Sequence, residues 1–389
     1  MNILLTNIWI SNYGGTEVYI RDLSVYLYNN GHRVEVYSPT LGPVALEIAS
    51  KGINIVDSTE ELVNTPDLIH AQHFTPTLDV ISKFPGVPVV YFLHDRIHLI
   101  DNPPRYSRIK KYVAVDYNCL DKLTIDNNIN KEKTTVIYNW VDTSVFKRRT
   151  KFAEKPRRAL VFSNYTSFDG FFKTIKEACD ELNIEVDGIG MRFGNSHSNP
   201  EKILHNYDIV FAKAKCAMEG IASGAAVILC DKTGLGQLVT TDNIDQCRRF
   251  NFGMKLLTKP ITKDKLIVEI NKYNPDECQK VSGKLRNDAS LESAMKKINN
   301  LYHEIIDNDK DSNNRVLDEK DQRLISDYLG LKEGITNSKI RQNEQRYKEH
   351  IRHIILANEA LLKSIDYRLG RVIINPLRII YHLLKRNNS

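Results

Sequence analysis

DIVFAKAKCAMEGIASGAAVILCD, residues 208–231, is the stretch that decides the fold. Its two ends, IVFA at 209–212 and AVILC at 226–230, are short unbroken apolar runs that suit strands buried on both faces. The small residues between them, at about 216–223, suit a helix lying close on a sheet. Strand, helix, strand makes a parallel crossover, and in such sheets ligands bind beyond the carboxyl ends of the strands. That position carries Lys213, Lys215 and a helix amino terminus near Ala217, a set suited to a phosphate. Glu219 follows one turn later, where a carboxylate can accept hydrogen bonds from two neighbouring sugar hydroxyls. Phosphate donors beside a diol acceptor describe a nucleoside diphosphate site. The alternative is an ordinary strand–helix–strand unit with solvated lysines.

Outward from this stretch the same alternation repeats. Apolar runs at 2–6, 33–38, 53–56, 67–70, 87–94, 111–115 and 134–138 predict strands, with helical patterns at 17–30, 44–51, 77–83 and 116–127 between them. A polar, proline-containing segment at 145–158 reads as a linker. The alternation then restarts with strands at 159–163 and 185–188, a helix at 170–182, and helices from 263 to about 306. Two α/β halves joined by one linker place a cleft between them, the usual location for a ligand. The expected domains are 1–147, 148–306, and a helical extension at 307–389 that opens with a polar linker at 307–314.

Composition narrows the class. The chain has 389 residues, 42% hydrophobic and 26% charged, so it is long enough for two domains and an appendage. The net charge of +6 is concentrated at the carboxyl end, where 367–389 holds five Lys/Arg and no acid. Elsewhere the signs balance, which argues against nucleic acid as a partner. Six cysteines without a CxxC pair suit free thiols in a reducing cytoplasm. Residues 1–11 read as a first strand rather than a signal peptide, and no run approaches the roughly 18 apolar residues of a membrane span. Heptads can be written over 340–369 with Ile351, Asn358 and Ile365 at a, a pattern suited to a homodimer through this helix or to packing on its own domain. Residues 375–386 place Leu377, Ile380, Tyr381 and Leu384 on one face with basic residues beside them, as an interfacial helix on an anionic membrane does.

Four motifs carry a family resemblance. YGGTE at 13–17, YFLHD at 91–95, VIYNWVDTSVF at 136–146 and AMEGIASGAAVI at 217–228 together resemble a bacterial glycosyltransferase of the GT-B architecture, closest to the family 4-like group, over about residues 2–306. The resemblance implies two facing Rossmann-like domains. It also implies an acceptor-side loop at Gly14, Gly15 and Thr16, and a histidine, His94, facing the reacting sugar with Asp95 beside it. On the donor side it implies the helix at Ala217 and Glu219; the residues themselves add Lys213 and Lys215 for the diphosphate, Ser163 and Asn164 after the first strand of the second domain, and Gly190 at a strand end near the base. Two departures stand out. The family's second glutamate, eight positions before Glu219, is replaced by Phe211, and its basic pair after the first strand of the second domain is replaced by Ser163-Asn164. The short AKAK loop resembles inverting enzymes that act on lipid-linked acceptors, which leaves the stereochemical outcome open.

These readings converge on a sugar transfer from a nucleotide-sugar donor to a glycan or lipid-linked acceptor in cell-surface polysaccharide synthesis. Neither a metal nor a further cofactor is expected, since no acidic cluster suggests one. The expected setting is the cytoplasm, peripheral on the inner face of the membrane. A sugar-nucleotide epimerase would share the architecture but need no second substrate. A non-catalytic scaffold on a degenerate transferase fold would bind no nucleotide diphosphate.

Overall fold

The structure, a computed structural model, describes residues 1–195, 199–310 and 317–364. Met1–Ile325 form one compact unit, and the described residues from Ser326 onward belong to a second. The first unit contains two sheets. β1 (Asn2–Thr6), β2 (Arg33–Tyr37), β3 (Asn54–Val56), β4 (Leu68–Gln72), β5 (Val89–Leu93), β6 (Ile109–Ala114) and β7 (Thr134–Val136) make one, ordered β3-β2-β1-β4-β5-β6-β7. All of its neighbours are parallel. β8 (Arg158–Phe162), β9 (Glu185–Ile189), β10 (Ile209–Ala212), β11 (Ala226–Asp231) and β12 (Gly234–Leu238) make the other, ordered β12-β11-β10-β8-β9. Only β12 is antiparallel to its neighbour.

Helices α1 (Gly15–Asn29), α2 (Pro43–Ala49), α3 (Phe74–Lys83) and α4 (Tyr117–Asp121) connect strands of the first sheet. The helix expected over 116–127 is α4 followed by one wider turn, Lys122–Asp126. α5 (Phe172–Glu181), α6 (Ala214–Ala222), α7 (Ile244–Arg249), α8 (Lys263–Ile270) and α9 (Pro275–Asp288) serve the second sheet, and α10 (Leu291–Lys310) and α11 (Glu319–Ser364) follow. Residues 307–310, read from composition as linker, continue α10. The expected architecture of two Rossmann-like halves and a helical extension is observed. The side chains at the heptad positions of 340–369, and the tail 375–386, lie outside the described residues.

Burial explains why these segments are strands. Every residue of β5 and of β10 is buried, as parallel strands covered by helices on both faces require. α6 lies close on its sheet because Gly220 leaves room: a Cβ there would sit 3.1 Å from Val227 and 3.3 Å from Val210. Strand order reverses direction between β1 and β4 in the first sheet and between β8 and β10 in the second. At such reversals the flanking loops part and leave a crevice.

Two adjacent strands of chain join the halves. Trp140 is buried in the core of the first half and Val141, the next residue, in that of the second. Val141 N–H donates to Ala289 O at 3.0 Å, and Leu291 N–H donates to Val141 O at 3.0 Å. The returning chain then becomes α10, whose Met295, Ile298, Leu301, Tyr302 and Ile305 complete the first core. Ile298→Ala should therefore destabilise the amino-terminal half by ~2–5 kcal/mol, the cost of a buried cavity, measured by urea unfolding.

Candidate functional site

The first half of the site lies at the β1/β4 reversal. Gly14 caps α1 in an extended conformation, and a Cβ there would meet the Glu17 carboxylate, which folds back over the helix start. Burial raises the Glu17 carboxyl above its ordinary range, and Thr16 Oγ1 donates to Glu17 Oε2 at 3.1 Å. Gly15 has open space around it. Because the Glu17 carboxylate is the movable end of its side chain, close approach forces glycine at neither position.

His94 follows β5. Its ring stands edge-on to Tyr19 of α1, with centroids 4.6 Å apart, and its Nε2 is buried with no hydrogen-bond partner among the described residues. Burial, and then the neighbouring His73, push its pKa down to about 3, so the imidazole is neutral at physiological pH. Asp95 turns away from this chemistry: its Oδ1 accepts from Ile97 N–H and from His98 N–H, at 2.5 and 3.1 Å, capping the turn. Beside His94, His73 follows β4 and precedes α3 with φ of 61°, a strained value for a side chain-bearing residue. His73 Nδ1 accepts from Ile8 N–H at 3.3 Å, and Nε2 lies 3.8 Å from Asp101. Burial lowers His73 to about 4 and raises Asp101 to about 7. Neither residue carries a signal in the sequence beyond its residue type.

The second half of the site lies at the β8/β10 reversal. Ser163 Oγ donates to Asp231 Oδ1 at 3.2 Å and accepts from Tyr165 N–H at 3.1 Å. Asn164 Oδ1 accepts from Met191 N–H at 3.0 Å, tying the loops after β8 and β9 together. Gly190 is required where they cross: its φ is +148°, and a Cβ would stand 2.0 Å from Ser163 O. Lys213 Nζ pairs with the fully buried Asp231 at 2.6 Å and lies 4.7 Å from the Tyr165 ring centre. Lys232 Nζ lies 5.1 Å from the same ring. Lys213 and Lys232 thus flank one aromatic ring at the carboxyl end of the second sheet. Lys232, Tyr165 and Asp231 carry no signal of their own in the sequence: the crossover pairs β10 with β11, but nothing in linear order brings β8 beside them.

α6 begins directly after Lys213. Ala217 is fully buried in the second core and its N–H bonds Lys213 O at 3.3 Å. Ala217 itself therefore has no donor to offer. The helix-start amides without an intrahelical partner are those before it. Glu219 is 6% exposed, and burial raises its carboxyl to about 7. The leading charges that act on it are Lys215, then Asp22 and Arg21 of α1 in the opposite half, with Glu201 after them. Lys215 Nζ reaches Asp22 Oδ2 across the cleft at 3.2 Å. Tyr19 and Asp22 are three residues apart, so one face of α1 meets both His94 and Lys215. Of the expected residues, then, His94, Lys215 and Glu219 converge around α1. Lys213, Ser163, Asn164 and Gly190 gather at the second reversal, and Asp95 and Ala217 serve local structure.

Two Rossmann-like halves make a GT-B fold, and with the family match that follows they mark the chain as a glycosyltransferase, an enzyme that takes a sugar from a nucleotide-sugar donor. Residues 13–145 match the model of Glycosyltransferase Family 4, and the chain is related to that family. It is similar to a glycosyltransferase from Rickettsia africae, 16% identical, with 80% of this chain and 99% of that one covered at a TM-score of 0.59. It is also similar to HepE from Anabaena, solved in complex with UDP and glucose: 14% identical, 78% and 100% covered, TM-score 0.57. At such identities the likeness establishes the fold. No curated protein matches the chain in sequence. Among the described residues no helix is long and apolar enough to cross a membrane.

Two outcomes follow from the geometry. Gly190→Ala should cost on the order of 1–3 kcal/mol and disturb the loops after β8 and β9, read by thermal unfolding. His94 is depressed in the folded chain, so the unfolded chain takes up a proton first as pH falls through about 6.5. Relative to His94→Gln, wild type should lose on the order of 1–2 kcal/mol of stability between pH 7 and pH 5, in urea unfolding at both pH values.

Proposed function

We propose that the chain transfers its sugar to a hydroxyl of a glycan or lipid-linked acceptor during assembly of a cell-surface polysaccharide. The observation that carries this reading is the meeting of the two strand reversals on α1, where an acceptor-side imidazole and donor-side charges occupy one helix face. HepE, a structural neighbour solved with UDP and glucose, supports a nucleotide-sugar donor for this chain. In this reading Glu219 receives the ribose hydroxyls, and Lys213 and Lys215 with the α6 amino terminus receive the diphosphate. Stabilising that leaving group as the anomeric bond breaks is the main catalytic contribution. An imidazole held near pKa 3 is too weak a base to retain a proton at neutral pH, so His94 serves better by accepting a hydrogen bond and orienting the acceptor hydroxyl. Gly14, Gly15 and Thr16 line the acceptor side. Domain closure would keep water from acting as the acceptor.

The basic tail 375–386 supports a position on the inner, anionic membrane face, close to a lipid-linked acceptor. The heptads of 340–369 support pairing of two chains.

Titration calorimetry with a panel of nucleoside diphosphates tests the donor side. Glu219→Ala should weaken binding about tenfold or more through loss of the ribose contacts, and unchanged affinity removes its assigned role. His94→Ala should lower kcat by about 10- to 100-fold with little change in donor KM, measured by sugar release and product linkage. Turnover of the nucleotide sugar without any acceptor would point to an epimerase instead.

A further inference from the structure

The cross-cleft contact contains an anion site already filled by the protein. Arg21 and Asp22 are consecutive on α1, where side chains normally diverge. Here Arg21 curls over its neighbour: Nε and Nη2 approach Asp22 Oδ1 at 3.1 and 2.8 Å. This is the guanidinium edge that grips carboxylates and phosphates in bidentate fashion. The other carboxylate oxygen, Oδ2, takes Lys215 from the opposite half at 3.2 Å. One carboxylate thus bridges a cation from each domain, one oxygen to each. The remaining arm of Arg21 is fixed from behind: Nη1 lies 3.3 Å from Glu47 Oε2, and the Tyr13 hydroxyl holds the other Glu47 oxygen. A guanidinium anchored on one arm with its bidentate edge toward the cleft is built to present that edge. Glu219 shares this environment, since Lys215, Asp22 and Arg21 are the leading charges acting on it. Tyr13, Glu47 and Arg21 also connect the glycine loop at the start of α1 to the donor side.

We propose that Arg21, supplied by the first domain, is a phosphate-binding residue for the donor, and that the Asp22 carboxylate occupies its place between Arg21 and Lys215 until the diphosphate arrives. This deepens the reading above and rests on it for the identity of the donor. A diphosphate carries more charge and more acceptor oxygens than a carboxylate, so it displaces Asp22 and keeps both cations satisfied. Donor binding and the apposition of the two domains are thereby coupled through one pair of cations. The site also supplies positive charge that the sequence lacks after β8.

Calorimetry of the full chain with UDP, GDP and ADP, and with the matching nucleosides, tests this. For a diphosphate that binds wild type, Arg21→Met should weaken affinity about tenfold, and Arg21→Lys should recover little of it because the fork is lost. Asp22→Asn should act in the opposite direction, tightening the same ligand about threefold by freeing both cations. The nucleosides, which lack phosphates, should bind all variants alike. Affinity within about twofold of wild type in a folded Arg21→Met, or weaker binding by Asp22→Asn, overturns the proposal. Should Arg21→Met fail to fold, the sign of the Asp22→Asn effect decides alone. Loss of binding in Arg21→Met with none in Glu219→Ala would refute the ribose assignment and leave this one standing. Wild type that binds none of the three diphosphates sinks both.

Discussion

The double crossing at Val141 is the constraint on which the site depends. Consecutive side chains, Trp140 and Val141, are buried in different cores, so the chain cannot slide at this point without exposing one of them. The two backbone bonds to 289–291 lock the outgoing and returning segments side by side. Arg286 reinforces the junction, donating to Thr143 O at 2.8 Å and to Ala222 O at 3.1 Å, at the end of α6. Because α6 and the crossing are tied together, the second reversal is held at a fixed place relative to the first core. Trp140 in turn packs on Tyr19 with centroids 4.3 Å apart, and Tyr19 packs on His94. A continuous chain of buried rings therefore runs from the crossing to the imidazole.

Much of the fold was legible because parallel strands declare themselves. Unbroken apolar runs such as VVYFL and IVFA, short and bounded by polar residues, suit strands covered on both faces, and their alternation with helices points to a parallel topology. The placement of α10 was not legible. Its periodicity reveals an apolar face but not which core receives it, and that depends on the crossing bringing the chain back. The extent of α10 was misjudged for a related reason. Residues 307–310 look like linker by composition, yet Asp309 is held by Arg108 and by Lys110, the latter at 2.9 Å, contacts formed by residues some two hundred positions away.

The site divides along the same line. Residues at strand ends, such as Ser163, Lys213 and His94, could be named because a strand end is a place in the sequence. Their partners could not. Asp231 closes a neighbouring strand, Asp22 belongs to the other domain, and Asp101 comes from a loop after β5; each pairs through topology. Ala217 shows the converse error. It lies in the right motif, but helical geometry uses its amide within the helix and turns its methyl into the core. Asp95 likewise belongs to a matching motif, while an Asp two residues before two free amides is a natural turn cap.

Charge compensation gives the site its character. Lys213 pairs with Asp231, Lys215 with Asp22, Arg21 with Asp22 and Glu47, and burial raises the Glu219 carboxyl to about 7. Burying an unpaired charge would cost several kcal/mol, so a cleft rich in cations is stable only if it carries its own anions. On the proposed reading, binding a diphosphate here is an exchange of partners rather than the filling of a bare positive pocket. Affinity then reflects the difference between two sets of charge-assisted bonds, and a small rearrangement of one carboxylate can change it substantially. The strained backbone at both reversals, φ of 61° at His73 and 49° at Ala214, fits the same picture. Such conformations persist only where surrounding contacts over-determine them, and here they set the side chains that flank them at the mouths of the two sheets.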